Sequence, residues 1–96
     1  MKISNQKKEK IYEQILLYLF QENPKSIFTA HIAKEIARDE EFIKRILKEL
    51  KEKDFIIEIK KNKEGINYLK RSRWKLSPLI YELYSKKQEK GSFKLS

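Results

Sequence analysis

Basic side chains concentrate in one stretch of the sequence, where their chemistry suits contact with phosphate groups. Residues 55–76 contain seven lysines and arginines and two acids, so +5 of the chain's net charge of +9 lies here. Ammonium and guanidinium groups bind phosphate oxygens through charge-assisted hydrogen bonds. A surplus of this sign predicts a polyanionic partner, either nucleic acid or an anionic membrane face. The candidate phosphate contacts are Lys60, Lys61, Lys63, Lys70, Arg71 and Arg73.

A second group of charged residues recurs at helical spacing within residues 39–53. Apolar residues at i, i+3, i+4 and i+7 predict a buried stripe formed by Ile43, Ile46, Leu47 and Leu50. The opposite face then presents the candidate readers Glu41, Lys44, Arg45 and Lys48. In a DNA major groove, Lys44 and Arg45 would donate to guanine and Glu41 would accept from cytosine N4. The alternative is a solvated face whose i,i+4 pairs neutralise each other, and both interpretations stay open.

Most catalytic and metal-binding chemistry lacks its usual residues in this chain. There is no cysteine, one histidine (His31) and only two glycines. This composition excludes thiolate and histidine-cluster metal sites, cysteine nucleophiles and a glycine-rich phosphate loop. The sequence therefore predicts no enzyme activity, no cofactor and no bound metal, and His31 is expected to be a surface residue.

Composition also bears on where the protein works. The longest apolar run, residues 15–20, is far shorter than the roughly 20 residues that span a bilayer, and the basic N-terminus has no apolar signal segment. A cytoplasmic, nucleoid-associated protein with no membrane partner is therefore expected. Charged residues make up 39% of the chain, and Lys/Glu enrichment is typical of hyperthermophile, often archaeal, proteins. AT-rich coding would give the same lysine and isoleucine excess.

Hydrophobic periodicity predicts four helices that would position these side chains. A helix over residues 8–21 ends at Asn23-Pro24, because a residue before proline avoids the helical region. Thr29 and Asp39 are the expected N-caps of the second and third helices. Ser77-Pro78 begins the fourth helix, with proline at the first helical position.

Between the third and fourth helices the period changes to two, which predicts a β-hairpin with strands at residues 55–61 and 66–76. Strand alternation would direct Trp74 and Leu76 to the core and Arg71, Arg73 and Lys75 to solvent. Lysine also protects edge strands, but seven bases against two acids exceed what such protection requires. The hairpin is therefore interpreted as an element that contacts phosphate groups.

The element order resembles the winged helix-turn-helix fold of MarR- and ArsR-type transcriptional regulators. Residues 32–50 are similar to the family's helix, short turn, capping residue and second helix, with Arg45 and Leu47 in the pattern "(Val/Ile)-x-Arg-x-Leu-x-x-Leu". Residues 73–78 resemble the family's return from the wing, "Y-x-L-T-P". The resemblance covers about residues 8–90 and implies a mainly α, α+β domain of three helices, a hairpin wing and a C-terminal helix.

Two positions depart from the family pattern, because Ala37 and Asp54 stand where glycine is usual. Asp tolerates the left-handed conformation of a helix C-cap, so the second departure is minor. ArsR-type regulators commonly sense metals through cysteine or histidine clusters. That activity does not carry over to a chain with no cysteine and one histidine.

The resemblance implies a small transcriptional regulator that binds double-stranded DNA, with helix 39–53 in the major groove and wing 58–75 on the phosphate backbone. The alternative is a winged helix that docks protein or RNA within a transcription or translation assembly. Residues 1–7 are expected to form a basic arm, residues 8–90 the domain and residues 91–96 a tail. Apolar side chains on the first and last helices predict a homodimer through Leu17, Leu79, Tyr81 and Leu83.

Overall fold

A computed structural model describes residues 5–60 and 72–89 of the chain. Within these residues the architecture is mainly helical with one small antiparallel sheet, which confirms the fold class expected from the sequence. Residues 1–4, 61–71 and 90–96 lie outside the described residues, and the predicted phosphate contacts Lys61, Lys63, Lys70 and Arg71 are among them. The elements are α1 (Asn5–Glu22), β1 (Ile27–Phe28), α2 (Thr29–Ile36), α3 (Glu40–Glu52), β2 (Ile56–Ile59), β3 (Arg73–Leu76) and α4 (Pro78–Glu89).

The sheet has three strands in the order β1-β3-β2, all antiparallel. The hairpin partners β2 and β3 were predicted, and their register sets Glu58 opposite Trp74 and Ile56 opposite Leu76. Strand β1 was not predicted; its two residues set Ile27 opposite Trp74 and Phe28 opposite Arg73. A two-residue strand has no period to detect, and it exists because β3 offers it a second edge.

Trp74 lies at the centre of the core with 1% of its surface exposed, as the strand alternation predicted. Its indole Nε1 donates a hydrogen bond of 2.8 Å to the hydroxyl Oγ1 of Thr29. The expectation that Thr29 is the N-cap of α2 is therefore wrong, because Thr29 is the first helical residue and Phe28 is the N-cap. The threonine hydroxyl instead satisfies a buried indole, which needs a partner away from water.

The predicted Asp39 cap of α3, the Asp54 exit from α3 and the Ser77-Pro78 start of α4 are confirmed. The side chain of Asp39 accepts a hydrogen bond of 3.2 Å from the backbone N–H of Phe42 and so caps α3. The hydroxyl of Ser77 accepts from the backbone N–H of Ile80 at 3.4 Å at the start of α4. Asp54 is in the left-handed region with φ of 63°, as its place at the exit of α3 implied. Asp39 and Asp54 therefore mark the start and the end of α3.

One side-chain cluster fastens α3 to α1, which begins at Asn5, three residues before the predicted start. The Tyr12 hydroxyl donates a hydrogen bond to the Glu49 carboxylate, and the Lys8 ammonium forms an ion pair with it at 2.7 Å. Burial alone would raise the pKa of the Glu49 carboxyl, but the hydrogen bonds from Lys8 and Tyr12 outweigh it and lower that pKa. The ionised carboxylate therefore helps to hold α3 in place.

Candidate nucleic-acid interface

The outward face of α3 is formed as the helical period predicted. Its apolar stripe is fully buried in the core, at Ile43, Ile46, Leu47 and Leu50. The candidate readers Glu41, Lys44, Arg45 and Lys48 are all exposed to solvent. Asp39 is the N-cap and α3 begins at Glu40, so Glu41, Lys44 and Arg45 lie in its first two turns. Residues near the N-terminus of a recognition helix are the ones that reach base edges in helix-turn-helix complexes.

The turn between α2 and α3 is held by a strained residue. Ala37 caps α2 in the left-handed conformation, with φ of 61° and ψ of 47°. Its backbone N–H donates to the carbonyl of Lys34, and that of Arg38 donates to the carbonyl of Ala33. Left-handed backbone costs a residue with a Cβ more than it costs glycine. The sequence analysis noted Ala37 as a departure, because the family usually has glycine at this position. The backbone nevertheless adopts the left-handed conformation that glycine favours.

A cleft of about 550 Å³ opens between α2, α3 and the sheet. Lys34 of α2 and Lys44 and Lys48 of α3 line it, together with two carboxylates, Glu40 and Glu58. The remaining wall is formed by the first turn of α2 and by the strands: Phe28, Thr29, Ala30, His31, Ser72 and Trp74. The cleft therefore places one edge of α3 beside the base of the hairpin, on the same side of the molecule.

Glu58 connects the hairpin base to the end of α3, a role that the sequence analysis missed. Its carboxylate accepts a hydrogen bond of 2.8 Å from the Lys51 ammonium and another from the Ser72 hydroxyl. Burial alone would raise the pKa of the Glu58 carboxyl, but these hydrogen bonds and the charge of Lys51 lower it. The one available signal was that Glu58 is an acid on the same strand face as Trp74, within an otherwise basic stretch.

Arg73 does not simply face solvent as the strand alternation predicted. It is half-buried, and its guanidinium carbon lies 5.7 Å from the ring centroid of Phe28, in a cation–π contact. The unpredicted strand β1 supplies this aromatic ring beside β3. Lys75 on the same strand is also half-buried, whereas Lys60 at the end of the described part of the hairpin is exposed.

The candidate dimer residues lie on α4 and α1. Leu79, Tyr81 and Leu83 are exposed at 63%, 39% and 47%, and Leu17 is half-buried. The α4 residues Ile80 and Tyr84 pack inward, and the rings of Tyr81 and Phe20 lie 5.4 Å apart. Leu79 and Leu83 are four residues apart and share one exposed face of α4, whereas Tyr81 lies on the other side of the inward-facing residues, with its ring beside Phe20 of α1.

The only histidine, His31, is exposed, as predicted, and its ring stacks on that of Tyr18 at a centroid distance of 6.4 Å. Among residues 5–60 and 72–89 there is no group of three or more side chains suited to hold a metal ion. No helix within the same residues is long and apolar enough to cross a bilayer.

Helices α2 and α3 at a short turn, followed by a hairpin, with β1 completing the sheet and α4 behind it, form a winged helix-turn-helix fold. Similar solved structures include two mutants of the S. aureus regulator MepR. One, from a multidrug-resistant clinical isolate, has a TM-score of 0.59 and 18% identity over 88% of this chain and 55% of the MepR chain. The other, bound to an oligodeoxyribonucleotide, has a TM-score of 0.58 and 18% identity over 95% of this chain and 75% of that chain.

MepR is a MarR-family winged-helix regulator, so the resemblance seen in the sequence is confirmed at the level of the fold. The chain spans little more than half of the first MepR chain. No protein-family model matches the sequence, and no curated protein matches it at a significant level.

Proposed function

We propose that this protein is a small transcriptional regulator that binds double-stranded DNA, with α3 in the major groove and the hairpin on the phosphate backbone. The observation that best supports this is the shared cleft, because it sets Lys44 and Lys48 of α3 beside Glu58 and Ser72 at the hairpin base. A duplex bound on this side of the molecule would therefore contact the exposed face of α3 and the base of the hairpin together.

Charge supports the same proposal. The wing stretch, residues 58–75, includes the seven bases that give residues 55–76 their charge of +5, and α3 adds Lys44, Arg45 and Lys48. Neutralising phosphates with such side chains releases condensed counterions, which supplies most of the sequence-independent affinity of DNA-binding proteins. The MepR structure bound to an oligodeoxyribonucleotide has the same fold.

A homodimer fits this proposal. The exposed Leu79 and Leu83 share one face of α4, so a two-fold axis beside this face would bury them against the same leucines of a second copy. Two copies would present two α3 helices to successive half-sites on the duplex, which multiplies the contact made by one small domain.

One observation favours a second candidate, a winged helix that docks protein or RNA. The exposed face of α3 is close to neutral, because three acids (Glu40, Glu41 and Glu52) offset three of its four bases (Lys44, Arg45, Lys48 and Lys51). A neutral face provides fewer donors for base edges than direct readout usually employs. The basic wing distinguishes the two candidates, since phosphate contact predicts strong salt dependence.

An unbiased selection tests the proposal. Fragmented genomic DNA and total RNA are passed separately over the immobilised protein, and enriched fragments are then titrated in solution at several salt concentrations. We expect enriched duplex fragments whose log K falls steeply with log salt. Enrichment of RNA alone, or no measurable duplex affinity at low salt, would contradict the proposal and favour docking.

A further inference from the structure

Three lysines meet in the cleft between α2, α3 and the sheet. Lys44 and Lys48 are four residues apart, so they lie on the same side of α3, and Lys34 reaches the cleft from α2. All three side chains are exposed and form part of the cleft wall. Glu41 and Arg45, which are also four residues apart, do not line it. The exposed face of α3 is thus divided into a stripe that borders the cleft and a stripe that does not.

The cleft has a surplus of positive charge. Two carboxylates, Glu40 and Glu58, lie among the lining residues. Glu58 already accepts hydrogen bonds from the Ser72 hydroxyl and, at 2.8 Å, from the Lys51 ammonium, and Lys51, which does not line the cleft, compensates its charge. Glu40 lies in the first turn of α3, where the helix dipole stabilises an acid. The three lysines therefore outweigh the carboxylates.

The first turn of α2 adds to this electropositive environment. Thr29, Ala30 and His31 line the cleft, and Phe28 at the N-cap has no side-chain acceptor for the first-turn amides. The N-terminal end of a helix bears a partial positive charge and attracts anions. The lysines and the helix end thus act on one concave surface, which suits a phosphate group better than a base edge.

We propose that this cleft is a phosphate-binding site for the DNA backbone strand that borders the major groove, with Lys34, Lys44 and Lys48 as its phosphate contacts. This inference rests on the proposed function, since a helix in the major groove and a wing beyond it have one sugar-phosphate strand between them. It reassigns Lys44 and Lys48 from base readers to backbone contacts. Sequence reading is then left to Glu41 and Arg45.

The test compares two triple variants that remove the same charge. The cleft variant combines Lys34→Gln, Lys44→Gln and Lys48→Gln. The control combines Lys10→Gln, Lys25→Gln and Lys86→Gln, which replace exposed lysines on α1, in the turn that follows it and on α4. Both variants and the wild type are titrated over a salt series on a preferred duplex and on a scrambled one, after thermal melts establish that each is folded.

Each phosphate contact contributes about 0.9 to the slope of log K against log salt on duplex DNA. The cleft variant is therefore expected to lower the slope by about 2.7, with equal losses on both duplexes, and the control to leave it near the wild-type value. A cleft variant whose slope equals that of the control overturns the inference while the proposed function stands. A loss confined to the preferred duplex also overturns it, because only base contacts read sequence. If the triple variant does not fold, Lys34→Gln alone is expected to lower the slope by about 0.9.

A second titration keeps the failure of this inference distinct from that of the proposed function. Pyrophosphate is added to the wild type and to the cleft variant, and backbone amide shifts are followed by NMR. We expect shifts at residues 29–31, 34, 44 and 48 in the wild type, and their loss in the cleft variant. Such shifts in a protein that binds no duplex would assign the cleft to a free phosphate and overturn the backbone assignment. If pyrophosphate causes no shifts and the cleft variant leaves the slope of log K against log salt unchanged, the cleft binds no phosphate and the inference is overturned.

Discussion

The indole Nε1 of Trp74 donates a 2.8 Å hydrogen bond to the Thr29 hydroxyl, so the buried centre of the sheet is fastened to the first residue of α2. Both residues also line the cleft between the helices and the sheet. The core and the candidate interface therefore share one contact, and the position of α2 over the sheet depends on it.

Replacement of Trp74 tests this contact. Trp74→Ala is expected to lower the free energy of unfolding by about 3–5 kcal/mol, because a fully buried indole leaves a large cavity. Thr29→Val is expected to cost about 1–3 kcal/mol, because it leaves the indole N–H buried and unpaired. Thr29→Ser retains the hydroxyl and serves as its control. Denaturant titration measures all three, and a midpoint that barely moves for Trp74→Ala would contradict the strand register.

Replacement of Ala37, the left-handed cap of α2, is expected to stabilise the protein. Ala37→Gly is expected to raise the free energy of unfolding by about 1 kcal/mol, because glycine adopts φ of 61° without the steric cost of a Cβ. Ala30→Gly, at a helical position of α2, is the control and is expected to gain nothing. Thermal unfolding of the two variants measures the difference. A loss of stability in Ala37→Gly would contradict the left-handed assignment.

The cluster that fastens α1 to α3 predicts a pH dependence. The pKa of Glu49 is lowered in the folded state by hydrogen bonds from Lys8 and Tyr12 that outweigh burial. Its contribution is therefore present above the ordinary carboxyl value of about 4.3 and is lost as the pH falls through the folded-state value. The stability gap between the wild type and Glu49→Gln should narrow in acid. Glu82→Gln, which removes an exposed carboxylate of α4, is the control. A gap that is constant from pH 7 to acid would contradict this account.

The exposed leucines Leu79 and Leu83 on one face of α4 predict dimerisation. Leu79→Glu with Leu83→Glu places charge at two exposed positions, so the domain should remain folded while a self-complementary interface is lost. Sedimentation is expected to show a wild-type dimer and a folded variant monomer, and Lys86→Gln on the same helix should remain dimeric. A wild type that is monomeric at high micromolar concentration would contradict the dimer.

Local sequence signals predicted the parts of the fold that depend on near neighbours. The apolar stripe from Ile43 to Leu50 and the Asp39 cap can each be recognised from a few neighbouring residues. Helix α3 forms as these signals indicate. Strand alternation alone directed Trp74 to the core. These features required no knowledge of what each element packs against.

The remaining features depend on contacts between residues far apart in the sequence. Phe28 becomes a neighbour of Arg73 only when β1 joins the sheet, and this converts an expected solvent-facing base into a half-buried one. Glu58 meets Lys51 and Ser72 across the hairpin base. The cleft itself exists only when α2, α3 and the strands are packed together.

The central claim is that α3 reads duplex DNA, and the response of Arg45 tests it most directly. Arg45→Ala and the control Lys10→Ala are titrated on a preferred and a scrambled duplex over one salt series. The account predicts that Arg45→Ala loses about 1–3 kcal/mol on the preferred duplex and little on the scrambled one, because a base contact conveys sequence information. Equal losses on both duplexes, or a wild type with no duplex affinity at low salt, would contradict it.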